Sequence, residues 1–369
     1  MDPNAKKIRD TYAVTPNAPF VMREFGYYCI EKWEQDIPRE QLAEKMELAC
    51  LEKTGRHNLG ELGWCEAGFC PEFPEEVLED RGEHEVVQDS AGRSVLCFKN
   101  RRSGFMPTYL DHPVKDMATF RDKCLWRLDP NTPERYADFE GRMGKAMEAE
   151  ARGDFMTQSI IGGYMYLRSL MGPEGALYQF YDDPELIHAC MRSWFDLADA
   201  VVAKHQEYVT LDEVFFAEDI CYNHGSLISP AMIKEFLFPY YKKLLDNCRK
   251  RQLDKTRRMY FQVDTDGYCE NVIDLYMEEL GMDAMSPFEA AAGNDLLAVA
   301  RRYPNLAMFG GVDKRVLARG KDAIDKLADS IFPEMHKRGG YTPTCDHGVP
   351  AEVSFDNWLH FRKRCLEYA

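Results

Sequence analysis

Five apolar runs in the second half of the chain each stop at residues able to do acid–base or ligand chemistry. Glu213–Asp219 ends in Glu218 and Asp219, and Met259–Gly267 ends in Asp264 and Asp266. Met282–Glu289 ends in Glu289, Leu306–Asp313 in Asp313 followed by Lys314 and Arg315, and Gly340–His347 in Cys345, Asp346 and His347. Two carboxylates one residue apart, at the end of an apolar strand, are costly to bury unless something binds there. Carboxylates close enough to share a site repel, so without an ion one of them should hold a proton near neutral pH. Asp264 and His347 are the natural acid and base for a polar substrate. Asp264, Asp266, Glu289 and Cys345 are also a candidate ligand set for a divalent metal, with one position left for substrate. Lys314 and Arg315 suit a carboxylate or phosphate, or else pair with the neighbouring acids. A single acidic tip is ordinarily a helix cap or a tight turn. Five in succession are not accounted for that way.

Elements must bring these tips together. The runs are strand-like, and helical stretches separate them: Pro230–Lys250, Asn271–Leu280 and Leu317–Arg338. Repetition of strand, polar tip and helix predicts a parallel sheet, and in an α/β barrel chemistry collects at the strand tips. The pocket is therefore expected at the C-terminal mouth. Phe155–Gly163 reads as a further buried strand with a glycine turn. Pro184–Tyr208 reads as a long helix whose His188 and His205 serve packing. Residues 1–150 are expected to cap the barrel, and 151–369 to form its main part. Within the first part, Phe20–Tyr28 is expected to run extended towards the mouth, and Glu31–Lys53 to be helical. A short acidic helix at Glu75–Glu83, a hairpin at His84–Phe98 and a loop at Pro107–Val114 complete the expectation. Arg127 and its surroundings lack convergent acids, bases or thiols and read as structural.

The chain has 369 residues, 45% hydrophobic and 29% charged, which is ample material for one barrel with an extension. A net charge of −16 argues against nucleic acid and anionic membranes as partners. No apolar run is long enough to span a bilayer, and the first residues lack the hydrophobic stretch of a signal peptide, so a cytoplasmic protein is expected. Twelve scattered cysteines without a CxxC pair predict reduced thiols. Dinucleotide, P-loop and HExxH motifs are absent.

At Glu218-Asp-Ile, Leu227-Ile-Ser-Pro230, Phe236–Tyr241, Asp264-Thr-Asp-Gly267, Pro287-Phe-Glu289, Gly310–Lys314 and Asp346-His-Gly-Val-Pro350 the chain resembles the uroporphyrinogen decarboxylase superfamily. The resemblance implies a (β/α)8 TIM-type barrel, often dimeric, with its cleft at the strand C-termini. True uroporphyrinogen decarboxylases are similar to one another in an Arg-Gln-Ala-Gly-Arg stretch that grips porphyrinogen carboxylates; here Phe20–Gly26 replaces it. The other branch comprises cobamide-dependent methyltransferases with His-x-Cys and late Cys zinc ligands, which fall by position on Asp264, Asp266 and Cys345. Exchanging imidazole and thiolate for two carboxylates hardens the site and implies weakly held zinc or another divalent metal, or none. The resemblance thus implies a methyltransferase taking methyl from a small methoxy or N-methyl compound to a separate corrinoid protein that brings the cobamide. Glu218, Asp264 and His347 would be catalytic, and Asp219, Glu289, Asp313, Lys314 and Arg315 would bind substrate. A decarboxylase of a non-porphyrin acid is the alternative, and a catalytically idle barrel a third.

Overall fold

The computed structural model describes residues 2–49, 55–60, 62–99 and 108–369. A parallel sheet of seven strands dominates, ordered β1 (Arg56–Asn58), β6 (Phe155–Ile161), β7 (Glu213–Ala217), β10 (Tyr260–Asp264), β11 (Ala284–Ser286), β12 (Ala307–Phe309) and β13 (Tyr341–Thr342). An antiparallel sheet precedes it in the chain: β2 (Glu76–Arg81), β3 (His84–Gln88), β4 (Ser94–Phe98) and β5 (Thr108–Asp111). A ribbon of β8 (Cys221–Tyr222) and β9 (Gly225–Ser226) decorates the mouth side of β7. From β6 onwards a helix follows each main strand, and strand order equals chain order. That is the TIM-type architecture expected.

Every residue of β6, β7 and β10 is buried, as expected of strands covered on both faces, the polar Thr157, Gln158, Ser159, Glu213, Gln262 and Asp264 among them. Alternate residues separate into two packed sets. Met156, Ile160, Val214, Phe216, Phe261 and Val263 join the helices in the main core. Phe155, Tyr260, Ala284, Ala307 and Phe309 form the inner cluster with Ala5, Ile8 and Tyr12 of the helix Pro3–Tyr12. That helix starts where Asp2 caps the amides of Asn4 and Ala5, with Pro3 at its first position. It plugs the end of the barrel opposite the mouth.

Two expectations change here. The stretch Glu75–Glu83 is not helical; Glu76–Arg81 is a strand turned back on β3 at Gly82 (φ 80). All six of its residues are exposed, so no period-two burial signal marked it. Of the loop Pro107–Val114, Thr108–Asp111 is β5, paired with β4, and Pro107 lies outside the described residues. Helices Ile30–Trp33 and Arg39–Ala49 occupy Glu31–Lys53, of which residues 50–53 lie outside the description. The first 150 residues also do more than cap. They supply β1, the plug helix and the stretch Phe20–Tyr28, whose Tyr28 amide donates to Val349 O while the Val349 amide donates to Gly26 O.

His205 is buried against Gln158 and His188 bonds Tyr240, both in packing positions. Arg127 donates to Pro71 O (2.8 Å) and Glu72 O (2.9 Å), with its guanidinium 4.2 Å from the ring centres of Phe73 and Trp126. Arg127→Ala should therefore cost about 1–2 kcal/mol in urea unfolding and leave the ligand affinity of the folded protein unchanged. A stable variant that has lost ligand binding would contradict this.

Candidate active site

The strand ends converge as their spacing predicts. Asp264 is the last residue of β10 and shares the inward face of that strand with Tyr260 and Gln262. It lines a small cavity of about 40 Å³ with Gln262, Ser286, Phe309 and Thr344 from the strand ends, Phe215 from β7, and Arg23, Phe25 and Trp64 from the N-terminal region. Trp64 stacks on Phe215 at 5.1 Å, making a flat aromatic wall. A second, more open cavity of about 440 Å³ shares Arg23, Trp64 and Phe215 and continues to Arg56, Asn58 and Ser159.

Burial pushes the Asp264 carboxyl up to about 7, with Asp266 and Asp219 adding to the shift and the Ser286 hydroxyl opposing it. Crowding of carboxylates is thus the smaller cause and burial the larger. Ser286 Oγ donates to Asp264 Oδ1, and Gln262 Nε2 lies 2.8 Å from Ser286 Oγ. Tyr12 of the plug helix bonds Gln262 and Glu213, and Arg56 donates to Glu213 at 2.7 Å. A polar column therefore runs from the plug to the acid and fixes its orientation.

Above the cavity sit the other tips. His347 Nε2 lies 3.2 Å from Asp266 Oδ2, and its ring packs between Phe25 (5.1 Å) and Tyr28 (5.5 Å). The second Asp266 oxygen, Oδ1, is buried with no partner. The bond to Asp266 raises the His347 pKa against the opposing effect of burial. Stabilisation by this pair is fully present below the ordinary histidine value of about 6.5 and is lost as pH rises through the higher folded value. The stability difference between wild type and His347→Gln should accordingly shrink between pH 6 and pH 9 in urea unfolding; a constant difference would refute it.

Asp219 pairs with Arg168 at 2.6 Å. Glu289 accepts from the Gly267 amide and from Lys314 Nζ, both at 2.8 Å, and Lys314 also lies 3.8 Å from the buried Asp346. Arg315 turns back on Asp313 at 2.8 Å, half-exposed and away from the cavity lining. Lys314 and Arg315 are thus paired with neighbouring acids. Gly310 makes the tip of β12 fit: at φ 111, a Cβ there would lie 2.0 Å from Pro287 O.

Glu218 and Cys345 are enclosed. Glu218 accepts from the Gly163 (3.2 Å) and Tyr164 (2.9 Å) amides and from the Tyr241 hydroxyl. Burial pushes its carboxyl up to about 7. It braces the start of the helix Gly163–Met171, and Gly162 is needed because a Cβ there would meet Glu218 at 2.4 Å. The Cys345 thiol is buried, and burial together with Glu24 and Asp346 drives its pKa well up, against thiolate formation. Among the described residues no three His, Cys, Asp or Glu side chains converge as a metal-binding group. With Asp264 on Ser286, Asp266 on His347 and Cys345 held as a thiol, the three proposed ligands do not fit a metal centre.

The sequence reasoning missed Arg23, Trp64, Phe215, Gln262 and Ser286. Phe215, Gln262 and Ser286 lie inside strands on the face shared with the tips, and counting back by two from Asp264 reaches Gln262. Arg23 and Trp64 carry no local signal; they reach the cavity because N-terminal segments cross the mouth.

Fold and site define a TIM-type barrel with an acid-bearing cavity at its mouth. Residues 159–368 match the family model for uroporphyrinogen decarboxylase (URO-D), more than half of the chain, and the protein belongs to that family. Curated relatives include the uroporphyrinogen decarboxylase of Hydrogenobaculum sp. (strain Y04AAS1), 25% identical over 35% of this chain and 34% of that protein. The chloroplastic uroporphyrinogen decarboxylase of Zea mays is 23% identical over 62% of this chain and 56% of that one. The chain thus spans about a third to just over half the length of these relatives. Among solved structures, a methyltransferase from Methanosarcina mazei superposes with a TM-score of 0.62 at 11% identity, covering 99% of this chain and 98% of its own, which shows a shared fold. No helix among the described residues is long and apolar enough to cross a membrane.

Proposed function

We propose that this chain is a methyltransferase that takes a methyl group from a small methoxy compound and delivers it to a corrinoid protein. The carrying observation is one cavity that joins a carboxyl balanced near neutral pH, Asp264, to the stacked aromatic pair Trp64 and Phe215, with Phe25 also in the lining. The cobamide, supplied by the partner protein, would provide the nucleophile for the methyl carbon. The tasks of this chain follow from its residues. Trp64 and Phe215 offer an aromatic face for a flat substrate. Arg23 orients an anionic or carbonyl substituent. Asp264 gives its proton to the oxygen as the methyl–oxygen bond breaks, so the leaving group departs as a neutral alcohol or phenol. His347, paired with Asp266, restores the proton to the site from the mouth side. Phe25 and Tyr28 shield it from water. No step passes through a metal, since the residues present do not fit one.

A test is methyl transfer to cob(I)alamin, followed by its absorbance change, with methoxylated aromatic acids and N-methylated amines as donors. Turnover with a methoxy donor supports the reading; no methyl transfer with any donor, from folded protein, sinks it. A second reading, decarboxylation of a non-porphyrin acid, draws on the names of the curated relatives and on Arg23 and Arg56 in the adjoining cavity. Release of labelled carbon dioxide from carboxyl-labelled acids in the same assays would favour it.

A further inference from the structure

Six of the ten residues 249–258 are Lys or Arg, against one acid, Asp254, in a chain whose net charge is −16. Three of them, Arg249, Lys250 and Arg251, fall in the last turn of the helix Phe238–Arg251, where the helix dipole favours cations. That accounts for their presence but not for Lys255, Arg257 and Arg258, which follow in the loop before β10. Four of the six, Arg249, Lys255, Arg257 and Arg258, line with Gln252 and Asp283 a cavity of about 290 Å³ at the end of the barrel opposite the mouth.

Two of the four cations are already neutralised. Arg257 bonds Asp212 (2.6 Å) and Glu150 (2.5 Å), and Arg258 bonds Asp283 (2.5 Å). The other two are held more loosely. Arg249 makes a long, exposed ion pair with Asp246 at 3.6 Å and feels the charge of Asp283 in the same lining, and its guanidinium is held 4.5 Å over the Phe261 ring. Lys255 donates to the Lys250 carbonyl, a neutral acceptor that positions the ammonium without cancelling it. Four cations against the single acid Asp283 in the lining of one concavity, in a protein of net charge −16, focus anionic ligands on that point.

We infer that this cavity is a binding site for a phosphate-bearing small molecule, separate from the mouth and independent of the reaction proposed there. A guanidinium fork and an ammonium are the donor pair that suits phosphate oxygens. Arg258, released from Asp283, is positioned to add a third contact.

The inference is tested by calorimetric titration of the whole protein with inorganic phosphate and with pyrophosphate, at ionic strength held constant with chloride. Saturable binding is expected, with a thermal midpoint that rises with phosphate concentration. In the double variant Arg249→Gln, Lys255→Gln the affinity should fall at least tenfold, while the single variant Lys250→Gln, outside the cavity lining, should bind as wild type. Equal effects of phosphate and chloride would overturn the inference, as would undiminished binding in the double variant. Capture of a poly-glutamate peptide without any binding of phosphate or pyrophosphate would also overturn it, assigning the cations to an acidic protein surface instead.

Discussion

Asp264→Asn should lower kcat/KM for methyl transfer by about 10²- to 10⁴-fold and leave the fold intact. The amide has the shape of the protonated acid and still accepts from Ser286, but it has no proton to give to a leaving oxygen. Because burial pushes the Asp264 carboxyl up to about 7, the active, protonated form is fully present only below that value. The wild-type rate should therefore fall as pH rises through about 7, a limb the variant lacks. The same shift makes a stability statement of definite sign. A carboxyl whose folded pKa lies above its unfolded value, about 3.9, binds more protons folded than unfolded between the two values. Stability from this group is consequently greatest below pH 4 and falls until the pH passes about 7. Asp264→Asn escapes that loss, so the variant should be more stable than wild type at pH 8 and equal to it at pH 4. A variant that keeps its rate, or is less stable at pH 8, contradicts the assignment of Asp264 as the acid.

Arg362→Leu should cost about 3–5 kcal/mol of stability, measured by urea unfolding, because it strands a buried carboxylate. Arg362 and Glu24 form an ion pair at 3.1 Å with both side chains at 0% exposure. Arg362 also donates to Arg23 O (2.9 Å) and Pro343 O (3.1 Å), and Glu24 accepts from the Cys345 amide (2.9 Å). The pair thus fastens the stretch carrying Arg23 and Phe25 to the exit of β13, so substrate affinity should fall along with stability. Removing both charges, in Glu24→Gln with Arg362→Met, should recover part of the loss, since no unpaired ion is left behind. An Arg362→Leu protein within about 1 kcal/mol of wild type would show that the pair is dispensable.

The tips Asp264, Asp266, Glu289 and His347 were legible because a buried strand has a local signature and a carboxylate at its end is chemically conspicuous. Glu218 and Cys345 carried the same signature yet are enclosed, since a residue one position along a strand end can turn to the helix layer as readily as to the mouth. Glu218 found two free amides at a helix start, while the Cys345 amide found Glu24 and its thiol Asp346. Spacing alone cannot distinguish these surroundings.

The sequence by itself determined the order of the main strands and helices from β6 onwards, the end of the barrel where acids gather, and the absence of dinucleotide and P-loop motifs. Each of these depends on periodicity or on residues close together in the chain. Only the tertiary structure decided that Arg23 and Trp64 enter the cavity beside Asp264, that Tyr12 reaches up the barrel to Gln262, and that Glu24 meets Arg362. Those pairings join residues far apart in sequence, and burial, which depends on every neighbour at once, is what shifts the Asp264 carboxyl to about 7.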